Sequence, residues 1–371
     1  MVFARADSAA RLAMGVSEPN PRVGCVLLDA HGTPVAEGST QRAGMAHAEV
    51  QALSAARAAG LNTRGATAYV TLEPCSHHGR TPPCCDALVA AGVAKVVVAV
   101  RDPNPLVAGQ GLERLRAAGI AVELLAPDHP AAVASRELNI GFFSRMIRRR
   151  PWVRLKIAAS LDGRTALDNG ASQWITGPEA RADGHAWRRR AGAVLTGIGT
   201  VLDDDPRLDV RLVPTESQPK RVVVDSRLEI PLSARILQPP GEVLVYTAAD
   251  VQGEAAARAA ALADLGVTVL PCPGPGGKVD LAALLDDLAR REVNELHVEA
   301  GHKLNGSFVR EGLVDELLCY LAPRLLGLGR EMARFGPLAS LQDGLALEFV
   351  EAERVGADLR LRARPPGRAE F

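Results

Sequence analysis

Four absences frame this chain of 371 residues. There is no excess of either charge: 43 Lys and Arg stand against 43 Asp and Glu. A surface that coats nucleic acid needs clustered positive charge, so that class of function is disfavoured. There is no long apolar run. The longest stretches, such as Ala87 to Ala94, fall far short of the roughly 20 residues that cross a bilayer. Arg5, Asp7 and Arg11 also interrupt the start of the chain, where a secretory leader needs unbroken apolar residues. Cysteine is scarce, with 6 residues, too few for a disulfide scaffold and compatible with a reducing compartment. No repeat, heptad pattern or low-complexity segment is visible. Together these point to a cytoplasmic protein that acts on a small diffusible substrate, with no nucleic-acid or membrane partner. At roughly 100–200 residues per domain, the length predicts two domains.

The junction is expected near Arg150, where Arg148, Arg149 and Arg150 precede Pro151 and read as a solvated hinge over Arg145 to Pro151. Upstream, the periodicity predicts helices over 4–14, 46–59, 84–91 and 109–118, and strands over 23–29, 68–72, 95–100 and 121–125. Gly60 and Gly92 are suited to left-handed helix caps. Downstream, it predicts strands over 153–159, 193–196, 221–225, 243–246, 295–299 and 316–321, and helices over 178–191, 281–291 and 304–311. A tail from Arg364 onward is expected to fray. Both units, 1–147 and 151–365, therefore read as α/β.

The cysteines are unevenly spread. Cys25, Cys272 and Cys319 stand alone and read as small hydrophobes, while Cys75, Cys84 and Cys85 crowd together. That cluster lies in EPCSHHGRTPPCC at 73–85, downstream of HAEV at 47–50. A His-x-Glu followed by Pro-Cys and a further Cys is close to the signature of zinc-dependent deaminases. Imidazole and two thiolates suit Zn²⁺, and three protein ligands leave one position open for the reacting water. Cys84 or Cys85 opens a predicted helix, whose positive end favours a thiolate. Cys84 is preferred as the ligand, with Cys85 turned into the core. Glu49 lies on the same helical turn as His47 but points elsewhere, an offset that suits a proton shuttle. The competing reading is a structural zinc knuckle, with His77 or His78 as a fourth ligand. Eight residues separate Cys75 from Cys84, where general deaminases have two.

The downstream unit has no strand-borne G-x-G-x-x-G, since Gly197-Ile-Gly199 continues Thr200-Val201-Leu202. CPGPGG at 272–277 reads as a surface loop without phosphate-binding amides. The better phosphate cradle is the segment from Glu299 to Gly306, which follows a strand and opens a helix.

Taken together, NPRVGCVLLD at 20–29, GMAHAEVQAL at 44–53, TLEPCSHHGRTPPCCDALVAAGV at 71–93 and DPNPLVAGQGLERLRAAGI at 102–120 resemble the deaminase half of the bifunctional riboflavin-biosynthesis deaminase-reductases. The resemblance continues through LKIAASLDGRTA at 155–166, SQWITGPEAR at 172–181, GIGTVLDDDPRLDVR at 197–211, VVVDSR at 222–227 and HVEAGHKLNGSF at 297–308. It implies a cytidine deaminase-like α/β/α sandwich followed by a dihydrofolate reductase-like α/β domain. It further implies Zn²⁺ on His47, Cys75 and Cys84, with Glu49 as the proton shuttle. The implied chemistry is hydrolytic deamination of 2,5-diamino-6-(5-phosphoribosylamino)pyrimidin-4(3H)-one, then NADPH-dependent reduction of the resulting uracil's ribosyl chain to ribityl.

By the same resemblance, NADPH would lie across Ala159, Trp174, Thr200, Asp204 and Ser226, and along Gly301, His302, Lys303, Leu304, Asn305, Gly306 and Ser307. The phosphorylated pyrimidine would meet Ser172, Arg188, Leu208, Arg211 and Glu299, the two arginines suiting a phosphate. Ser226 and Arg227 would hold the 2′-phosphate of the cofactor. Lys156, on a strand, would face either the reacting sugar or solvent. A homo-oligomer is implied as well.

Overall fold

Short β-branched runs interleaved with alanine-rich helices build two units, Met1–Arg149 and Arg150–Phe371. The computed structural model describes residues 1–105 and 107–371, and of Glu254 the backbone alone. Among the described residues no helix is long and apolar enough to cross a membrane.

The first unit runs α1 (Val2–Leu12), β1 (Gly24–Leu28), β2 (Pro34–Ser39), α2 (Ala48–Ala58), β3 (Thr67–Val70), α3 (Cys84–Ala90), β4 (Lys95–Val98), α4 (Gln110–Ala117), β5 (Ala121–Leu124), α5 (Pro130–Leu138) and α6 (Ile140–Arg148). Its sheet has the order β2-β1-β3-β4-β5. β1 is antiparallel to both neighbours, and β3, β4 and β5 are parallel. Strand alternation sends Cys25 and Leu27 to one face, with Ala52 of α2 and Leu88 of α3, and Val26 and Leu28 to the other, with Ala6 of α1. The sheet is therefore sandwiched between helices. Two glycines permit that closeness: a Cβ on Gly24 would lie 1.9 Å from Ala6 O, and one on Gly38 2.2 Å from Ala48 O.

The second unit runs β6 (Trp152–Ser160), β7 (Arg164–Leu167), α7 (Pro178–Arg190), β8 (Ala193–Gly197), α8 (Ile198–Asp204), β9 (Lys220–Val224), β10 (Val243–Thr247), α9 (Glu254–Asp264), β11 (Val267–Pro271), α10 (Leu281–Arg290), β12 (Glu295–Val298), α11 (His302–Arg310), β13 (Glu316–Ala322), β14 (Gly329–Glu331), β15 (Glu348–Val355) and β16 (Asp358–Arg364). Nine strands form one sheet in the order β11-β10-β9-β8-β12-β6-β13-β16-β15, while β14 and β7 pair apart from it. Strands β11 through β13 are parallel, and β16 and β15 close the far edge antiparallel. Continuous apolar runs such as VLVYT in β10 are buried on both faces, as a parallel sheet demands. Leu195, Val222 and Leu244 pack with Leu284 and Phe308 on one face, and Val194, Val223 and Val245 with Val201 and Leu262 on the other.

The α/β class holds for both units, and the glycines expected as caps do adopt left-handed backbone, at φ 69° for Gly60 and 70° for Gly92. Two local expectations are corrected. The stretch from Arg145 is not a hinge throughout: residues up to Arg148 form the last turn of α6, where cations complement the helix dipole, and Arg149 ends the helix with left-handed backbone at φ 59°. The C-terminal tail is not frayed. Arg364 lies in β16 and is buried, Arg368 Nε stands 3.4 Å from Asp315, and the Phe371 ring lies 6.3 Å from that of Trp152.

Candidate functional sites: a thiolate-imidazole cluster and a reductase cavity

In the first unit, His47 caps the N-terminus of α2 with extended backbone, and Cys84 is the first residue of α3. Cys75 sits in the loop after β3, docked onto α3 because Cys84 N donates to its Sγ at 3.3 Å and Cys85 N donates to its carbonyl at 3.2 Å. The result is convergence: His47 Nδ1 lies 3.6 Å from Cys75 Sγ and 3.4 Å from Cys84 Sγ. Ligand atoms of these three residues all lie within 4.8 Å of one another. The donor set, one imidazole and two sulfurs, fits Zn²⁺. On the far side of the ring, Thr81 Oγ1 approaches His47 Nε2 at 3.5 Å, the position of an outer partner that fixes ring orientation.

The sulfurs differ in environment. Hydrogen bonding from Cys84, with His47 adding to it, holds Cys75 down to about 4. Cys84, facing that thiolate, is pushed up. Glu49 is buried, and burial followed by the Cys75 charge pushes its carboxyl up to about 7. Cys85 turns away: its Sγ contacts Pro74 O at 3.3 Å, and burial pushes the thiol up to about 12.

Glu73 has a role that the sequence reading missed. Its buried carboxylate accepts from Asp102 N at 3.2 Å, Gly109 N at 2.9 Å, Gly111 N at 3.0 Å and Leu112 N at 3.3 Å. It thereby ties the start of α4 to the loop that carries Cys75. Its position two residues before Cys75 was the only available signal.

The second unit holds a cavity of about 1630 Å³. Ser172, Trp174, Thr200, Asp204, Ser226, Gly301, His302, Lys303, Leu304, Asn305 and Ser307 line it, as do Arg188, Leu208, Arg211 and Glu299. Two expected residues do not. Ala159 is fully buried in β6, and Gly306 faces the backbone at Arg334, where a Cβ would meet Arg334 O at 1.8 Å. Arg227 is also absent from the wall; its side chain is 78% exposed and pairs with Glu229 at 3.0 Å. Conversely, the loop at 272–277 is no bystander, since Pro275 and the adjacent Lys278 line the cavity. Lys156 faces the cavity, 3.5 Å from Glu299.

Glu299 is the electrostatic centre of one end. Arg188 of α7 engages it with Nε at 2.5 Å and Nη2 at 3.0 Å, and gives Nη1 to Asp209 O at 2.9 Å. Burial raises the Glu299 carboxyl, but Arg188 and Lys156 outweigh it and hold the group well below the usual range. Arg188 thus has its fork largely committed to protein, whereas Arg211 keeps 46% of its side chain exposed while resting on Asp209 at 2.6 Å. At the other end, β12 leads through Gly301 into α11, whose first residues line the cavity. Backbone donors at such a helix start suit a pyrophosphate.

The comparisons with known proteins divide along the same line. Residues 2–100 match the cytidine and deoxycytidylate deaminase zinc-binding region, and residues 151–361 match the RibD C-terminal domain. The chain is 45% identical to the riboflavin biosynthesis protein RibD of Escherichia coli (strain K12), over 97% of each chain. It is 42% identical to that of Aquifex aeolicus (strain VF5), over 95% of this chain and 94% of the relative. Among solved structures, RibD of Acinetobacter baumannii superposes with a TM-score of 0.87 at 42% identity, covering 98% of this chain and 97% of that one. A diaminohydroxyphosphoribosylaminopyrimidine deaminase/5-amino-6-(5-phosphoribosylamino)uracil reductase from Thermotoga maritima superposes with a TM-score of 0.85 at 32% identity, covering 98% and 97%.

Proposed function

The chain belongs to the bifunctional riboflavin-biosynthesis deaminase-reductases, and on that premise we propose which of its side chains carry each step. It is an enzyme with two activities, a zinc-dependent deaminase in the first unit and an NADPH-dependent reductase in the second. The substrate is a phosphorylated pyrimidine: 2,5-diamino-6-(5-phosphoribosylamino)pyrimidin-4(3H)-one for the deaminase, and the uracil it yields for the reductase. The convergence of His47, Cys75 and Cys84 beside a buried carboxylate is the observation that carries the reading.

In the deaminase, His47 Nδ1, Cys75 and Cys84 hold the metal. Bound there, Zn²⁺ supplies a Lewis acid that activates water at neutral pH. Glu49 takes one proton from the attacking water and gives it to the ring nitrogen, then carries the second proton of that oxygen to the amino group, which departs as ammonia as the carbonyl forms. Thr81 steadies the His47 ring, and Cys85 belongs to the core rather than to the metal. Neither His77 nor His78 is needed, because three ligands and an adjacent Glu make a reactive site rather than a closed structural one.

In the reductase, NADPH supplies the hydride. The amides at the start of α11 receive its pyrophosphate, Trp174, Thr200, Asp204 and Ser226 complete its wall, and Arg235 and Lys278, which line the same cavity, take the place expected of Arg227 as basic side chains of that wall. Ser172, Leu208 and Arg211 hold the ribosyl phosphate, with Arg211 the available cation. Arg188 and Lys156 fix Glu299 beside the sugar that is reduced.

The test is a coupled assay on the diamino substrate that follows ammonia and NADPH together. Ammonia should appear first, and NADPH oxidation should follow in a one-to-one ratio. Ammonia release without NADPH oxidation, on supplied uracil as well, removes the reductase assignment. A cytoplasmic homo-oligomer completes the proposal. β15 is an edge strand carrying Phe349, 75% exposed, and such an edge is suited to pair with a second copy. Sedimentation should return a mass at least twice that of the chain, and Phe349→Glu should reduce it.

A further inference from the structure

Arg211 lies in a stretch with no helix or strand of its own, so the position of its guanidinium depends on side chains that tie down its backbone. Leu208 turns the chain with left-handed backbone at φ 49°. Val210 N donates to Gln218 Oε1 at 2.7 Å, and Gln218 Nε2 returns a bond to Val210 O at 2.9 Å. Arg211 N donates to His185 Nδ1 at 3.1 Å. His185 is buried on α7, one turn before Arg188, and lines the same cavity. We propose that His185 is a positioning residue of the reductase, holding Arg211 where it meets the substrate phosphate. This rests on the reading of Arg211 as the phosphate-binding cation.

The chemistry of the ring supports that role. A histidine that accepts at Nδ1 carries its proton on Nε2 and is neutral. The charges around the ring oppose a second proton: the Arg188 guanidinium, with Nη1 3.5 Å from Nε2, and Arg211 on the other side outweigh the facing carboxylates Asp209 and Glu299. Burial, followed by the two guanidiniums, pushes His185 down to about 4, so the ring remains an acceptor across the physiological range. The same helix thus fixes both halves of the subsite, His185 through the Arg211 backbone and Arg188 through Asp209 O and Glu299. Asp209 then clamps the Arg207 and Arg211 side chains, with contacts at 2.8 and 2.6 Å. Removing the acceptor leaves the Arg211 amide without its partner and frees the turn, whereas a side-chain carbonyl at the same place can replace it.

The experiment uses the full chain and supplies 5-amino-6-(5-phosphoribosylamino)uracil, its dephosphorylated analogue and NADPH to wild type, His185→Leu, His185→Gln and Arg211→Ala. His185→Leu is expected to raise the KM of the phosphorylated substrate about tenfold, the scale of an orphaned buried donor. Its kcat and its KM for NADPH should stay within about twofold, the signature of lost ground-state binding. The dephosphorylated analogue should not distinguish it from wild type, and His185→Gln should recover most of the loss. An unchanged KM in His185→Leu, a parallel loss of NADPH binding, or equal impairment of the Gln and Leu variants overturns the inference. Arg211→Ala separates the two claims. If it leaves the KM of the phosphorylated substrate unchanged, the phosphate assignment falls and the role of His185 with it; if it raises that KM while His185→Leu does not, only the role of His185 falls.

Discussion

Glu49→Gln is expected to reduce ammonia release by about 10²–10⁴-fold, the range for loss of a general acid-base group, while zinc content and reduction of supplied uracil stay at wild-type levels. The amide matches the carboxylate in size and keeps a hydrogen-bonding oxygen, so the buried pocket two residues after His47 need not rearrange. What it loses is the ability to accept a proton from water and pass it on. His47, Cys75 and Cys84 still present their ligand atoms within 4.8 Å, so metal analysis of the purified variant should return one zinc per chain. The reductase cavity lies in the other unit and contains none of these residues. NADPH oxidation on the aminouracil is therefore the internal control for folding. Unchanged deaminase turnover would transfer the proton to another group and overturn the role of Glu49; loss of zinc along with activity would make Glu49 a support of the site rather than its acid-base.

The difference in legibility between the two units has a physical origin. A zinc site with three ligands from two short segments is written locally: a His and a Glu two apart on a helix start, then a Cys on a loop and another at the next helix start. Residue type and spacing named three residues whose ligand atoms converge, and left Cys85 as an alternative to the preferred Cys84 until the structure turned its Sγ toward Pro74 O. The cavity of the second unit is assembled instead from β6, α7, α8, the ends of β9 and β12, and α11, which are far apart in sequence. Apart from the helix-start cradle at Glu299 to Gly306, only the resemblance to a family pointed to it; of the residues it implied, Ala159 is buried and Gly306 packs closely against Arg334 O. His185 gave no sequence signal at all, because its partner is a backbone amide 26 residues away. The strands β15 and β16 were missed for a related reason. EFVEAERV and DLRLRAR are too charged to look like strands, and their charges make sense only as pairs across the sheet, Glu351 and Glu353 with Arg360, and Arg362 and Arg364 with Glu316 of β13.

Those charges carry the second large prediction. Glu316, fully buried at the start of β13, accepts from Arg154 Nε at 2.5 Å, Arg362 Nη2 at 2.9 Å and Arg364 Nη2 at 2.6 Å. Arg154, itself fully buried, reaches across to Glu295 at 2.8 Å, which also takes Arg190 at 2.7 Å. The Arg154 and Arg362 guanidiniums stand 4.4 and 5.3 Å from the centre of the Trp187 ring. Desolvation of such a cluster is costly, and it holds only because each charge is answered. Glu316→Ala takes away the one carboxylate that three buried guanidiniums share, leaving Arg154 with Glu295 and Arg362 with Glu351, and should lower the stability of the second unit by about 3–5 kcal/mol. Burial raises the Glu316 carboxyl, but Arg154, Arg362 and Arg364 outweigh it and hold the group far below its unfolded value. A depressed carboxylate contributes its full stability above the unfolded pKa, about 4.3, and loses it as pH falls from there toward the folded value. The difference between wild type and Glu316→Ala in urea unfolding should therefore be largest near neutral pH and shrink on acidification below about pH 4. On heating, NADPH oxidation by the variant should fail at a lower temperature than ammonia release. A stability difference that is constant with pH would mean that Glu316 acts by filling space between β6, β13 and β16 and not by its charge.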